Sequence, residues 1–175
     1  MKALLACTLL LLLGNAYAQP TNQDDVANTL KRYLFDAARS GDQQMLNEFI
    51  QAGFDLNAQD DKGYTALILS AYNGQAKAVE QLLEAGADPC VEDKRGNTAL
   101  LGAIFKGQVR IAKRLMQAQC NIDQRNHAGQ TPAMYAALFQ RTEILQALAK
   151  QGADHDANDA KGNRVENLAR GEFKP

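Results

Sequence analysis

The chain has no tryptophan, two histidines, two serines and three cysteines in 175 residues, and only 6% of it is aromatic. With so few serines, histidines and cysteines, catalytic motifs built on those residues have little to draw on. No nucleophile elbow, P-loop, dinucleotide-binding loop or zinc-binding helix motif occurs. The absence of C-x-x-C-H excludes covalent haem attachment through that motif. A formal net charge of −1 gives no electrostatic case for nucleic acid or an anionic membrane surface. Beyond residue 13 no apolar run approaches the roughly 20 residues that span a bilayer.

The first residues are of a different kind. Met1-Lys2 is a short basic start, and Ala3 to Leu13 is apolar apart from Cys7 and Thr8. Ala16-Tyr17-Ala18 is an A-x-A cleavage site of the secretory type, so residues 1–18 are expected to be a signal peptide, with Gln19 opening the mature chain. "LLAC", ending on Cys7, stands too early to be a lipid-attachment signal. Removing Lys2 leaves 18 Lys+Arg against 20 Asp+Glu, a net charge of −2. The expectation is an exported protein, in the periplasm rather than released, with Cys90 and Cys120 in an oxidising compartment.

What is abundant is repetition. Gly63, Gly96, Gly129 and Gly162 are each 33 residues apart, and the segments they open are alike: "GYTALILSAYNG", "GNTALLGAIFKG" and "GQTPAMYAALFQ". One period upstream, "LKRYLFDAARSG" continues the register from Leu30 without the Gly and Thr. Each opening segment is followed by a second apolar one, and "GNRVENLARG" begins a fifth copy that stops after one helix. The opening segments are too short and too apolar to stand alone, so each must be covered on both sides. Thr65, Thr98 and Thr131 are placed to cap them, and Pro132 suits a first helical turn. In the second segments Val79, Leu82 and Leu83, and again Ile111, Leu115 and Met116, form an inward stripe against charged neighbours. Gly53, Gly86 and Gly152 then stop those helices in the left-handed conformation. Gly102 and Ala103 are expected to be small because neighbouring helices come close.

The period, the G-x-T-[PA]-[LA] starts at 63–67, 96–100 and 129–133, and the "GAD" turns at Gly86-Ala87-Asp88 and Gly152-Ala153-Asp154 resemble the ankyrin repeat family. The resemblance covers about residues 27–170. It implies an all-α solenoid of stacked helix-turn-helix units with short β-hairpin-like fingers and capping repeats at both ends. The repeat domain is expected over residues 25–170, as about four repeats plus a C-terminal half-repeat. Residues 19–24 read as a flexible leader and residues 171–175 as a frayed tail. The first copy opens on a longer helix from about Asp25, with Val26, Leu30, Tyr33, Leu34 and Ala37 on one face. The family's His after T-P-L is missing, its positions holding Ile68, Leu101 and Met134.

The resemblance also implies a non-enzymatic protein that binds a protein partner, acts as a monomer and uses no cofactor or metal. By register, the finger tips are Asp61-Lys62, Lys94-Arg95, His127-Ala128 and Ala160-Lys161, and the concave face carries Tyr64, Asn97 and Gln130. Beside these, Tyr72-Asn73, Phe105-Lys106 and Leu138-Phe139 form a ladder of aromatic anchors rimmed by polar groups, suited to partner contact. For Phe139, exposure and a place in the inter-repeat core both remain open. Small exported bacterial proteins of this kind are associated with catalase, which implies support of its activity or haem loading. Inhibition of a periplasmic toxin is a further alternative. His155, flanked by Asp154 and Asp156, is the cheapest catalytic guess, but "GADHDAND" reads as one more inter-repeat turn. Cys90 and Cys120 fall three positions out of step in consecutive turns. Repeats stack at roughly 10 Å and a disulfide needs Cα atoms within about 7 Å, so a bond and a buried thiol both remain open.

Overall fold

The structure, a computed structural model, describes residues 23–174. The signal peptide and most of the leader lie outside the described residues. Helix α1 (Gln23–Ser40) and α2 (Gln43–Gln51) form the first repeat, α3 (Ala66–Tyr72) and α4 (Ala76–Glu84) the second, and α5 (Ala99–Lys106) and α6 (Val109–Leu115) the third. The fourth is α7 (Pro132–Leu138) and α8 (Thr142–Lys150), and α9 (Val165–Ala169) is the half-repeat. Two layers result. An inner row stacks α1, α3, α5, α7 and α9 in order, and an outer row stacks α2, α4, α6 and α8. The described residues contain no strands, so the fingers are tight turns rather than true hairpins.

The core is the seam between and along these rows. Leu67, Ile68, Leu101, Ile104, Met134 and Ala137 are buried on the inner helices, facing Phe49, Val79, Leu82, Ile111, Leu115, Ile144 and Leu148 on the outer ones. Thr65 and Thr131 cap α3 and α7 by accepting from the Ile68 and Met134 amides at 3.2 and 3.3 Å. Thr98 holds the same extended backbone, but its hydroxyl makes no cap bond. Pro132 is the first residue of α7.

Four expectations need correction. Val26, Leu30 and Tyr33 are exposed rather than packed, because α1 begins about ten residues ahead of the equivalent point in α3 and has no neighbour there. That helix also starts at Gln23, inside the stretch expected to be a leader. A Cβ on Gly102 would meet only Tyr72, at 3.9 Å, so no close helix approach explains that glycine. The tail to Lys174 is tied down: the Glu172 amide donates to the Asn167 carbonyl at 2.9 Å and the Lys174 amide to Asn163 Oδ1 at 2.8 Å. With no second helix in the fifth repeat, this segment folds back over the end of the stack.

The third repeat lacks the glycine that ends α4 and α8, having Gln119 there. Without a left-handed stop, α6 ends two residues early by register and the chain leaves through bends. Here the two cysteines meet. Cys90 and Cys120 are disulfide-bonded with Cα atoms 5.6 Å apart. The other repeat steps show what the bond replaces. Asn57 Oδ1 accepts from the Asp88 amide at 2.8 Å, and Asp123 Oδ1 from the Asp154 amide at 2.9 Å. Cys90 occupies this acceptor position at the middle step, and a covalent link takes the place of the hydrogen bond.

A second irregularity ends the inner helices. Gly41, Gly74 and Gly107 adopt φ between 71° and 75°, and the next repeat's Gln75, Gln108 or Arg141 lies against each. The fourth repeat has Gln140 at this point, in the same left-handed conformation at φ 53°. Among the described residues no second helix of a fifth repeat stands against it, but the backbone strain remains.

Two outcomes are expected. Gln140→Gly stabilises the protein by about 0.5–1 kcal/mol, measured by urea denaturation. Closing a loop with a sequence separation of 30 restricts the unfolded chain by about 3–4 kcal/mol. Cys90→Ser with Cys120→Ser, or a reductant, therefore lowers the thermal midpoint, and thiol titration of the unreduced chain from Gln19 onward finds no free thiol.

Candidate partner-binding face

The fingers share one polar construction repeated every 33 residues. Asp60, Asp93, Asn126 and Asp159 each turn a side-chain oxygen onto two backbone amides of their own turn. Asp93 Oδ1 accepts from Arg95 and Asn97 at 2.8 Å, and Asn126 Oδ1 from Ala128 and Gln130 at 3.0 Å. Successive fingers are joined through the backbone, Lys94 to Lys62, His127 to Arg95 and Ala160 to Ala128, at 2.9–3.0 Å. Gly96 must be glycine because a Cβ would stand 2.8 Å from the His127 amide nitrogen. The positions of the missing family histidine hold Ile68, Leu101 and Met134, all buried in the apolar seam. The finger contacts leave Arg95 and His127 exposed at the tips.

Below the fingers lies an aromatic strip. The rings of Tyr72 and Phe105 are nearly parallel with centroids 6.0 Å apart, and Phe139 meets Phe105 edge-on at 4.8 Å. Tyr135 closes the other side of Phe139 at 5.3 Å. Tyr72 and Phe105 are 40% and 39% exposed, high for such side chains. The Lys106 ammonium sits 5.0 Å from the centre of the Tyr72 ring, a cation–π contact. Four of the ten aromatics beyond Tyr17 thus gather on one face.

The candidate residues divide accordingly. Tyr72, Phe105, Lys106 and Phe139 come together on the strip. Leu138, expected beside Phe139, is instead half-buried and packed against the core, while two ring contacts hold Phe139 on the strip. Tyr64 is likewise half-buried on the core. Asn73 is exposed, but its amide donates to the Leu69 carbonyl at 2.8 Å and caps α3. Tyr135 went unnoticed in the sequence because its register position holds Leu69 and Gly102 in the preceding repeats. It joins strip to finger, its hydroxyl donating to Asn97 Oδ1 at 3.3 Å. Burial pushes its phenol up, with a hydrogen bond from Asn126 opposing.

Other clusters are less suited to a site. Asp154, beside His155, accepts from the Asp156 amide at 2.9 Å and the Ala157 amide at 3.2 Å, as the turn reading requires. Asp88 approaches both cysteine sulfurs within 4.8 Å, but a disulfide offers no thiolate to a metal. On the outer row a groove of about 620 Å³ runs between α4 and α6, lined by Lys77, Glu80, Gln81 and Arg110 among others. Three of its charged groups are engaged in ion pairs, Arg114 with Glu80 at 2.7 Å and Lys113 with Glu143.

The family model for ankyrin repeats in three copies matches residues 4–93, 34–126 and 77–159. The chain belongs to the ankyrin-repeat family. No curated protein matches it. Ankyrin repeats generally mediate protein–protein interaction, and in this ankyrin domain the aromatic strip joins exposed rings of successive repeats, whereas the exposed Val26, Leu30 and Tyr33 all belong to the single helix α1. No helix among the described residues is long and apolar enough to cross a membrane.

The finger turns carry a pH prediction. Although desolvation is the largest single influence and opposes it, hydrogen bonds from the Asn163 side chain and from the Asn163 and Lys161 amides together hold the Asp159 carboxyl below its ordinary 3.8. Its stabilising effect is present above that value and lost as pH falls through the lower folded-state value. Asn126 performs the same role uncharged, so Asp159→Asn keeps the turn and removes this part of the acid sensitivity. Asp159→Ala costs about 1 kcal/mol at neutral pH. Urea melts at pH 7 and pH 3 separate the two variants.

Proposed function

We propose that this ankyrin protein is an exported, periplasmic interaction module that holds one protein partner on its inner-row face and catalyses no reaction. The exposed Tyr72–Phe105 pair, continued by Phe139 and Tyr135, carries the reading: aromatic anchors rimmed by Asn73, Lys106, Arg95 and His127 have the make-up of a binding hot spot. Export is supported by the basic, apolar and A-x-A succession of residues 1–18 and by the disulfide, a bond of oxidising compartments. The protein acts as a monomer, leaving the face free for its partner. Catalase support and toxin inhibition are two forms of the same capture, and the identity of the captured protein distinguishes them.

The test is affinity capture from periplasmic extract with mass spectrometry. Tyr72→Ala and Phe105→Ala are expected to melt within about 1.5 kcal/mol of the parent, since both rings are partly solvated. Each should weaken capture at least about tenfold, the loss of a hot-spot anchor. Unchanged capture with both rings removed overturns the proposed face, and a partner turned over chemically by the protein overturns the non-enzymatic reading.

A further inference from the structure

The partner-binding reading leaves open what kind of protein surface the strip accepts, and the charges around it bear on that. The tips carry Lys62, Lys94, Arg95 and Lys161, all exposed, against the single exposed carboxylate Asp61. Lys106 adds a cation at the strip itself. Among the described residues none of these five cations is in an ion pair, whereas Arg39, Lys113, Arg114 and Arg170 are.

The finger acids do not cancel them toward a partner. Asp93 is 8% exposed, and its carboxylate is engaged by the Arg95 and Asn97 amides and by the Asn97 side chain at 3.1 Å. Asp60 and Asp159 make the same turns, and Asp60 also faces Arg39 at 3.8 Å. Backbone amides and side-chain partners thus hold the acids inward while the neighbouring cations point out. In three of the four turns the fold places an acid (Asp60, Asp93, Asp159) on the inside and at least one Lys or Arg at the tip, the third turn having Asn126 and His127 instead.

We infer that the partner presents an acidic segment bearing an exposed aromatic or aliphatic side chain. The apolar group lies on Tyr72, Phe105 and Phe139, and carboxylates on either side meet Lys94, Arg95 and Lys106. This deepens the partner-binding reading and rests on it. Exposed pairs of this sort contribute little each, so the cations act mainly by steering and by rejecting basic surfaces. The ring contact supplies most of the affinity. Raising the ionic strength shortens the reach of the cations but leaves the ring contact intact.

The probe is a displayed library of random 16-residue peptides, selected on the purified protein. Enriched sequences are expected to be acidic with at least one aromatic or large aliphatic residue. Lys94→Glu, Arg95→Glu and Lys106→Glu together should weaken the best peptide about tenfold. The corresponding triple Gln variant should fall between that and the parent, and circular dichroism should show all three proteins equally folded. Selected peptides that are neutral or basic yet lose binding on Phe105→Ala overturn the acidic partner and leave the face standing. Acidic peptides indifferent to Phe105→Ala overturn the face. Absence of enrichment, or affinity unmoved by charge reversal, overturns the inference.

Discussion

A seven- or eight-residue inner helix cannot hold itself together in water, because nucleating a helix costs more than two turns return. Each of these short helices, α3, α5 and α7, is stable only between two others, and this dependence on neighbours organises the protein. It demands apolar residues on both flanks, which is why Leu101, Ile104, Met134 and Ala137 are buried. It demands close finger approach, which makes Gly96 obligatory beside His127. It also demands special ends: α1 is extended to 18 residues, and the last repeat is closed by Asn163 and Asn167 binding the returning chain.

The same stacking produces the candidate site. Residues one period apart land side by side, so an aromatic at the end of one inner helix meets an aromatic at the end of the next. Tyr72 and Phe105 therefore stack without any dedicated framework. Phe139 and Tyr135 join by departing from strict register, and Tyr135 ties the strip to the polar network of Asn97 and Asn126. The binding face is thus rigid at its root and apolar at its surface, suited to a preformed recognition site.

The repeat period together with the G-x-T starts and the GAD turns was enough to recognise the fold, since glycines 33 residues apart with the same helix start and stop signals have few physical explanations. The strip was half legible: register placed Tyr72 and Phe105 together, but treated Leu138 as their continuation. Packing sent Leu138 to the core and Phe139 outward, a choice between adjacent residues that periodicity does not contain. The disulfide was undecided because an offset of three residues says nothing about the direction in which a loop leans. That direction became clear once Asn57 and Asp123 showed the middle position to be a bridging point at every step. Gln140 was hidden for another reason: its strain lies in a backbone angle, and only Gly41, Gly74 and Gly107 in line with it reveal what that position requires. The tail read as free because its anchors, Asn163 and Asn167, are ordinary polar residues in isolation.

A linear stack comes apart from its free ends, since interior units have neighbours on both sides. The cross-link from Cys90 to Cys120 spans the step between the second and third repeats, the step on which Tyr72 meets Phe105. Fraying that enters from either terminus meets a covalent stop there. The aromatic strip is therefore cross-linked at the Tyr72–Phe105 step, with Phe139 and Tyr135 one repeat beyond it. Its leading pair of rings thus sits where the stack is held covalently as well as by packing, and is the last part of the face to be lost when an end repeat opens.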